Sequence, residues 1–105
     1  MGQSIKTPSG RVFASAESLN AQLKGDILRA CNVQGVKVED IRDDDILING
    51  DGALNLDSLD AVEIAVLVDR LYGIKIKDLS SAKIAMKSIA SLSDHIWTHS
   101  EPLNE

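Results

Sequence analysis

The stretch Leu54–Gly73, "LNLDSLDAVEIAVLVDRLYG", decides how the chain is read. It opens on an Asp-Ser-Leu triplet, continues through fifteen residues of helical spacing and stops at a glycine. Asp57 is placed as the N-cap, with Asp60 three residues on completing a capping-box-like pair. The helix then runs from about Ser58 to Tyr72, and Gly73 ends it. With Ile64 at the origin of a helical wheel, Leu67, Val68 and Leu71 fall within roughly 60° of it, one apolar stripe suited to a core. Leu59, Val62 and Val66 fall at roughly 160–220°, on the opposite side. A helix in a small bundle has one side to bury, so the second stripe is expected to face solvent, rimmed by Glu63, Asp69 and Arg70. An apolar strip with a charged rim is the pattern of a docking surface. The competing expectation is a central helix covered on both sides, with the long preceding loop as the second cover.

Outward from that helix, the pattern is that of a small helical domain. A first helix is expected after Ser15, with Leu19, Leu23, Ile27 and Cys31 every fourth residue, Ala16 and Ala30 beside them, and Gly35 as the stop. On that face Cys31 is buried filler and not a reactive thiol. Residues 36–57 are acidic and glycine-punctuated, and their apolar residues lack helical spacing; so many apolar anchors predict a loop packed over the domain. "IKIKD" alternates like a strand but has no evident partner, which predicts an extended connection. A short helix is expected near Ser80 to Ala85. A last one is expected from about Ser91, with Asp94 as its box partner and Leu92, Ile96 and Trp97 inward. The fold class is therefore all-α, a small four-helix bundle of three main helices and one short one, with a long loop between helices 1 and 2. Residues 1–14 are read as a flexible extension that Phe13 ties to the domain, residues 15–98 as the domain and residues 99–105 as a flexible tail.

Composition fits this picture. The 105 residues are 44% hydrophobic and only 3% aromatic, so the core is aliphatic. No run is long and apolar enough to span a bilayer, and no leader pattern opens the chain. Met1-Gly2 begins like a myristoylation signal, but Lys6 stands where that signal needs Ser or Thr. The lone Cys31 needs no oxidising compartment, which predicts the cytoplasm. Net charge is −5, unevenly spread: residues 1–35 carry +2, 36–60 carry −6 and 61–105 carry −1. That acidic approach to Ser58 disfavours nucleic acid and favours a basic protein surface.

Ser58 stands at the first helical position, where backbone N–H groups lack acceptors and the dipole is positive, a point that suits a phosphate. With the acidic approach and the outer stripe, "LDSLDAVEIAVLVDRLYGIKI" resembles the acyl carrier proteins, over approximately Leu19 to Ile96. In that family an Asp-Ser-Leu motif opens the second of four helices, and its serine is esterified with 4′-phosphopantetheine, whose thiol carries acyl groups as thioesters. The resemblance implies that Ser58 is the attachment site and Asp57 its adjacent motif residue. It matches Leu59, Asp60, Val62, Glu63 and Val66 to the partner-binding surface, and Ile64, Leu67, Val68, Leu71 and Tyr72 to the core. It further implies a monomer that is not an enzyme, served by a phosphopantetheinyl transferase and by acyl-loading, condensing and acyl-transfer enzymes of fatty-acid, polyketide or related pathways.

The chain departs from that pattern in its long loop "ILINGDGALNLDS", in Arg70, and in Lys75, Lys77, Lys83 and Lys87, where fatty-acid carriers are usually acidic. These differences suggest a specialised, non-housekeeping carrier. Within the same fold the alternative is a peptidyl or aminoacyl carrier; from another class it is a helical interaction module in which Ser58 only begins a helix. Other chemistries fit worse. The Asn49–Asp60 stretch has Ala53 and Leu54 where a calcium loop needs an acid and a glycine. His95 and His99 lack a third ligand, and no Gly-x-Ser-x-Gly elbow surrounds Ser58.

Overall fold

A computed structural model describes residues 4–50 and 52–103. Among them, helix α1 spans Ala16–Ala30, α2 Ser58–Leu67, α3 Leu79–Ala85 and α4 Ile89–Thr98. Three strands, β1 (Ser4–Lys6), β2 (Val12–Phe13) and β3 (Glu101–Leu103), form an antiparallel sheet in the order β2-β1-β3. The fold is mostly helical, and the sheet corrects the all-α expectation. The stretches assigned to a flexible extension and tail pair with each other: Ile5 is opposite both Phe13 and Pro102. Ile5 and Phe13 are both buried in the main core. No helix among the described residues is long and apolar enough to cross a membrane.

Each helix starts where a side chain can take up unpaired N–H groups. In α1, Ser15 Oγ accepts from Ser18 N at 3.2 Å, and Leu19, Leu23 and Ile27 turn fully inward. The helix ends at Cys31, ahead of the expected Gly35. Asn32 takes the left-handed conformation (φ 53°). Asn32 N then donates to Arg29 O and Val33 N to Leu28 O, the paired bonds of a Schellman stop. Ala16 and Ala30 are exposed and not core filler, whereas Cys31, half-buried at the cap, packs against the core. Helix α4 starts at Ile89, capped by Ser88 with Ser91 as its box partner, two residues before the expected Ser91 start. That register puts Ile89, Leu92, Ser93 and Ile96 on one buried stripe, while Trp97 is half-buried.

The loop from residue 32 to 57 packs against the domain through Ile41, Leu47, Leu54 and Leu56, all buried. Leu47 N donates to Lys87 O at 3.1 Å and Ala90 N to Asp43 O at 2.8 Å. Asn49 N and Leu56 N bond to Leu56 O and Leu47 O, which folds the loop back on itself. Gly50 sits inside this fold, where a Cβ would collide with the backbone carbonyl of Ile46, so no side chain fits. The segment Ile74–Lys77 forms no helix or strand, and Ile74 is buried.

Helix α2 departs from the wheel at its end. Residues Val68–Tyr72 form a π-helical turn closed by Gly73 at φ 73°. A π turn holds one residue more than an α turn, which delays every later side chain. Tyr72 thereby takes the inward position expected of Leu71, and Leu71 is 39% exposed. The β1–β2 hairpin caps this end: Ser9 Oγ donates to Leu71 O at 2.6 Å and Ser9 N to Tyr72 O at 3.3 Å. A Cβ on Gly73 would meet Ser9 N at 2.8 Å, so the close approach needs glycine as much as the dihedral does.

Candidate functional site

The start of α2 is a reciprocal capping box. Asp57 Oδ1 accepts from Asp60 N, and Asp60 Oδ2 accepts from Asp57 N, both at 3.0 Å. This fixes Ser58 as the first helical residue, where its N–H and that of Leu59 have no intrahelical acceptor. Ser58 is exposed, and its hydroxyl makes no hydrogen bond among the described residues. The hydroxyl is thus open to an incoming group beside a positively polarised helix end.

Below it the two stripes separate. Leu59 is 76%, Val62 60% and Val66 41% exposed, while Ile64, Leu67, Val68 and Tyr72 lie in the core. No described element covers the outer stripe, which disposes of the sandwiched arrangement. Of the two acids assigned to the outer surface, Asp60 is half-buried with its carboxylate committed to the cap. Glu63 is exposed and makes no ion pair among the described residues.

The acidic approach is partly spent on local order. Asp40 and Asp45 accept from the backbone N–H of Lys37 and Arg42. Asp43 pairs with Lys24 at 2.7 Å, and that ammonium holds its carboxyl below the usual range. Cys31 reaches the same end of α2, its thiol 3.8 Å from Asp60 O. Burial, with the carboxylates of Asp60 and Glu63, pushes that thiol up to about 11. It therefore stays protonated at neutral pH and offers no competing nucleophile.

Surface concavities lie elsewhere. One of about 410 Å3 is lined by Arg42, Asp44, Asp45, Ile46 and Gly52. Another of about 320 Å3 lies between α3 and α4, with Ile84, His95 and His99 on its wall. Ser58 lines neither of these two, and it is exposed. His95 is half-buried; burial and the neighbouring His99 lower its pKa. No group of three potential metal ligands occurs among the described residues. Asp51 of the calcium-like stretch lies outside those residues, as do Met1 and Gly2.

A polar cluster at the far end of the helix from Ser58 escaped the sequence reading. Asp26 is 3% exposed on the inner face of α1. It accepts from Tyr72 Oη at 2.6 Å, Arg29 Nη2 at 2.6 Å and Gln22 Nε2 at 2.9 Å. Arg11, from the hairpin, lies 3.7 Å from the same carboxylate and 4.9 Å from the Tyr72 ring centroid. Phe13 stacks on Tyr72 at 5.9 Å. Burial and the Asp26 carboxylate raise the Tyr72 phenol above its usual pKa. A signal was present: three residues after Leu23, Asp26 is an acid within an apolar stripe.

No family model matches the chain, and no curated protein matches its sequence. What the arrangement offers chemically is an exposed primary alcohol at a fixed helix end, next to an uncovered apolar strip.

Proposed function

We propose that the chain is an acyl carrier protein, a monomeric cytoplasmic platform that bears 4′-phosphopantetheine on Ser58 and presents its cargo to partner enzymes. The observation that carries this reading is the combination at α2: an exposed Asp57-Ser58-Leu59 start leading directly into an uncovered Leu59–Val62–Val66 stripe. The residues present fit the group, since the Ser58 hydroxyl is open and a phosphodiester on it lies beside the positive end of the helix. When attached, the arm supplies a terminal thiol that holds acyl groups as thioesters. The chain itself does the positioning. The Asp57–Asp60 box holds the first turn so that the Ser58 oxygen keeps a fixed place. Leu59, Val62 and Val66 supply apolar contact, and Glu63 with the acidic loop attracts basic partner surfaces. The open surface, with no enclosing cleft, fits weak transient contacts with a series of enzymes. The lysines after α2 favour a specialised pathway with its own enzymes.

Intact mass after incubation with a phosphopantetheinyl transferase and coenzyme A tests the reading. Wild type gains the arm once, and Ser58→Ala gains nothing. An unmodified wild type, or a Ser58→Ala variant that still takes the arm, refutes it.

A further inference from the structure

The residues between α2 and α4 carry exposed charge opposite in sign to that of the loop before α2. Along the connection after α2, Ile74 is buried and Ile76 half-buried, while Lys75 and Lys77 are exposed. The two lysines alternate with the inward isoleucines, so both stand on the solvent side of the connection. On α3 and just past it, Ala85 and Met86 are buried, whereas Lys83 and Lys87 are exposed and Ile84 is 74% exposed. None of the four lysines makes an ion pair among the described residues. The lone acid of this stretch, Asp78, caps α3 by accepting from Ser81 N at 2.7 Å. Residues 74–87 therefore carry four lysines and one aspartate in a chain of net charge −5. The boundary between signs is sharp, because Lys87 O accepts from Leu47 N of the acidic loop.

We propose that Lys75, Lys77, Lys83, Ile84 and Lys87 form a second docking surface, fitted to an acidic patch on a protein partner. The inference rests on the carrier reading for what that partner does, and not for where it binds. A cognate enzyme then presents a basic patch toward the acidic loop and α2, and an acidic patch toward α3. Matching both signs fixes the carrier's orientation and rejects enzymes whose whole docking surface is basic. A protein surface fits better than an anionic bilayer. The bilayer would attract the lysines but repel the adjoining −6 segment, and Ile84 is the sole large exposed apolar anchor among the described residues of the patch.

The test uses the full chain labelled with 15N, titrated at low and high salt with polyglutamate. A parallel titration uses vesicles of phosphatidylcholine and phosphatidylglycerol. Polyglutamate is expected to shift the amides of Lys75, Lys77, Lys83, Ile84 and Lys87 at low salt, and the shifts vanish at high salt. The variant Lys83→Glu/Lys87→Glu weakens binding about tenfold, as expected for reversing two exposed charges, with Ser58 loading unchanged. Shifts spread equally over Lys6, Lys24 and Lys37, no shifts at all, or undiminished binding by the variant overturn the proposal. Tighter binding to the vesicles than to polyglutamate also overturns it, in favour of a membrane surface. Failure of wild type to accept the arm refutes the carrier reading instead and leaves the amide map to stand on its own.

Discussion

Tyr72→Phe isolates one hydrogen bond in the core without opening a cavity. The ring stays, and with it the stacking on Phe13 at 5.9 Å and the Arg11 guanidinium at 4.9 Å. The phenol O–H to Asp26 Oδ2, 2.6 Å long between two buried groups, is lost. Asp26 Oδ1 keeps Arg29 and Gln22, but Oδ2 retains only Arg11, 3.7 Å away. Hydrogen bonds to charged groups contribute about 1.5–3 kcal/mol, and a carboxylate oxygen left short of partners puts the cost in the upper half, about 2–3 kcal/mol. For a chain of this size that lowers Tm by roughly 10–15 °C. The pH dependence supplies a signature that general loosening does not. The folded phenol pKa is raised by burial and the Asp26 carboxylate, whereas the unfolded phenol ionises near about 10. Its contribution is complete below the unfolded value and is lost as pH climbs from there toward the folded value, by up to about 1.4 kcal/mol per pH unit. Urea melts of both proteins at pH 7 and pH 11 give the comparison. The stability gap between wild type and Tyr72→Phe should narrow at pH 11. A gap below about 0.5 kcal/mol at pH 7, or one that does not change with pH, refutes the assigned role of this bond.

Two further outcomes probe α2 and its neighbour. Leu67→Ala, at a site only 6% exposed, should cost about 2–5 kcal/mol. Val66→Ala removes two methyl groups from a site 41% exposed and should cost about 1 kcal/mol; equal costs in denaturant melts would mean that α2 has no free face. Val66→Asp should keep the fold and impair transfer by partner enzymes, and unimpaired transfer would remove the outer stripe from docking. With its pKa pushed up to about 11 from 9.0, Cys31 has about a hundredfold less thiolate at pH 8 than an unperturbed thiol. Higher intrinsic nucleophilicity offsets part of this, so iodoacetamide should react about tenfold more slowly with the folded chain than with the urea-unfolded one. Equal rates would contradict the half-buried, acid-flanked position of the thiol.

How much was legible follows from how local each signal is. The start and stop of α2 were readable because Asp57, Asp60 and Gly73 act within one turn of where they stand. The start of α4 was ambiguous because Ser88 with Ser91 and Ser91 with Asp94 offer overlapping caps, and burial of Ile89 decides between them. The sheet was not readable. Its strands are two or three residues long, too short for alternation to carry information, and β1 finds β3 across nearly the whole chain. The π turn was equally hidden, since Ser9 from the hairpin, far away in sequence, helps Gly73 to hold its end. Leu71 was misplaced for that reason alone.

The exposure of the outer stripe depends on where the long loop goes, and that was the open alternative from the sequence. A loop with many apolar anchors could have lain across Leu59, Val62 and Val66 and made α2 a central helix. Instead its backbone is tied elsewhere, Leu47 N to Lys87 O and Asp43 O to Ala90 N at the α3–α4 end. Its anchors Ile41, Leu47, Leu54 and Leu56 are spent in the core, and Asp57 then delivers the chain directly into the cap of α2. The hairpin, tied through Arg11, Phe13 and Ser9, engages the opposite end of the helix at Leu71 and Tyr72. Both ends of α2 are therefore held while its outer side stays bare. Ser58 and the stripe below it are thus presented on a helix held at both ends, as the proposed carrier role would require.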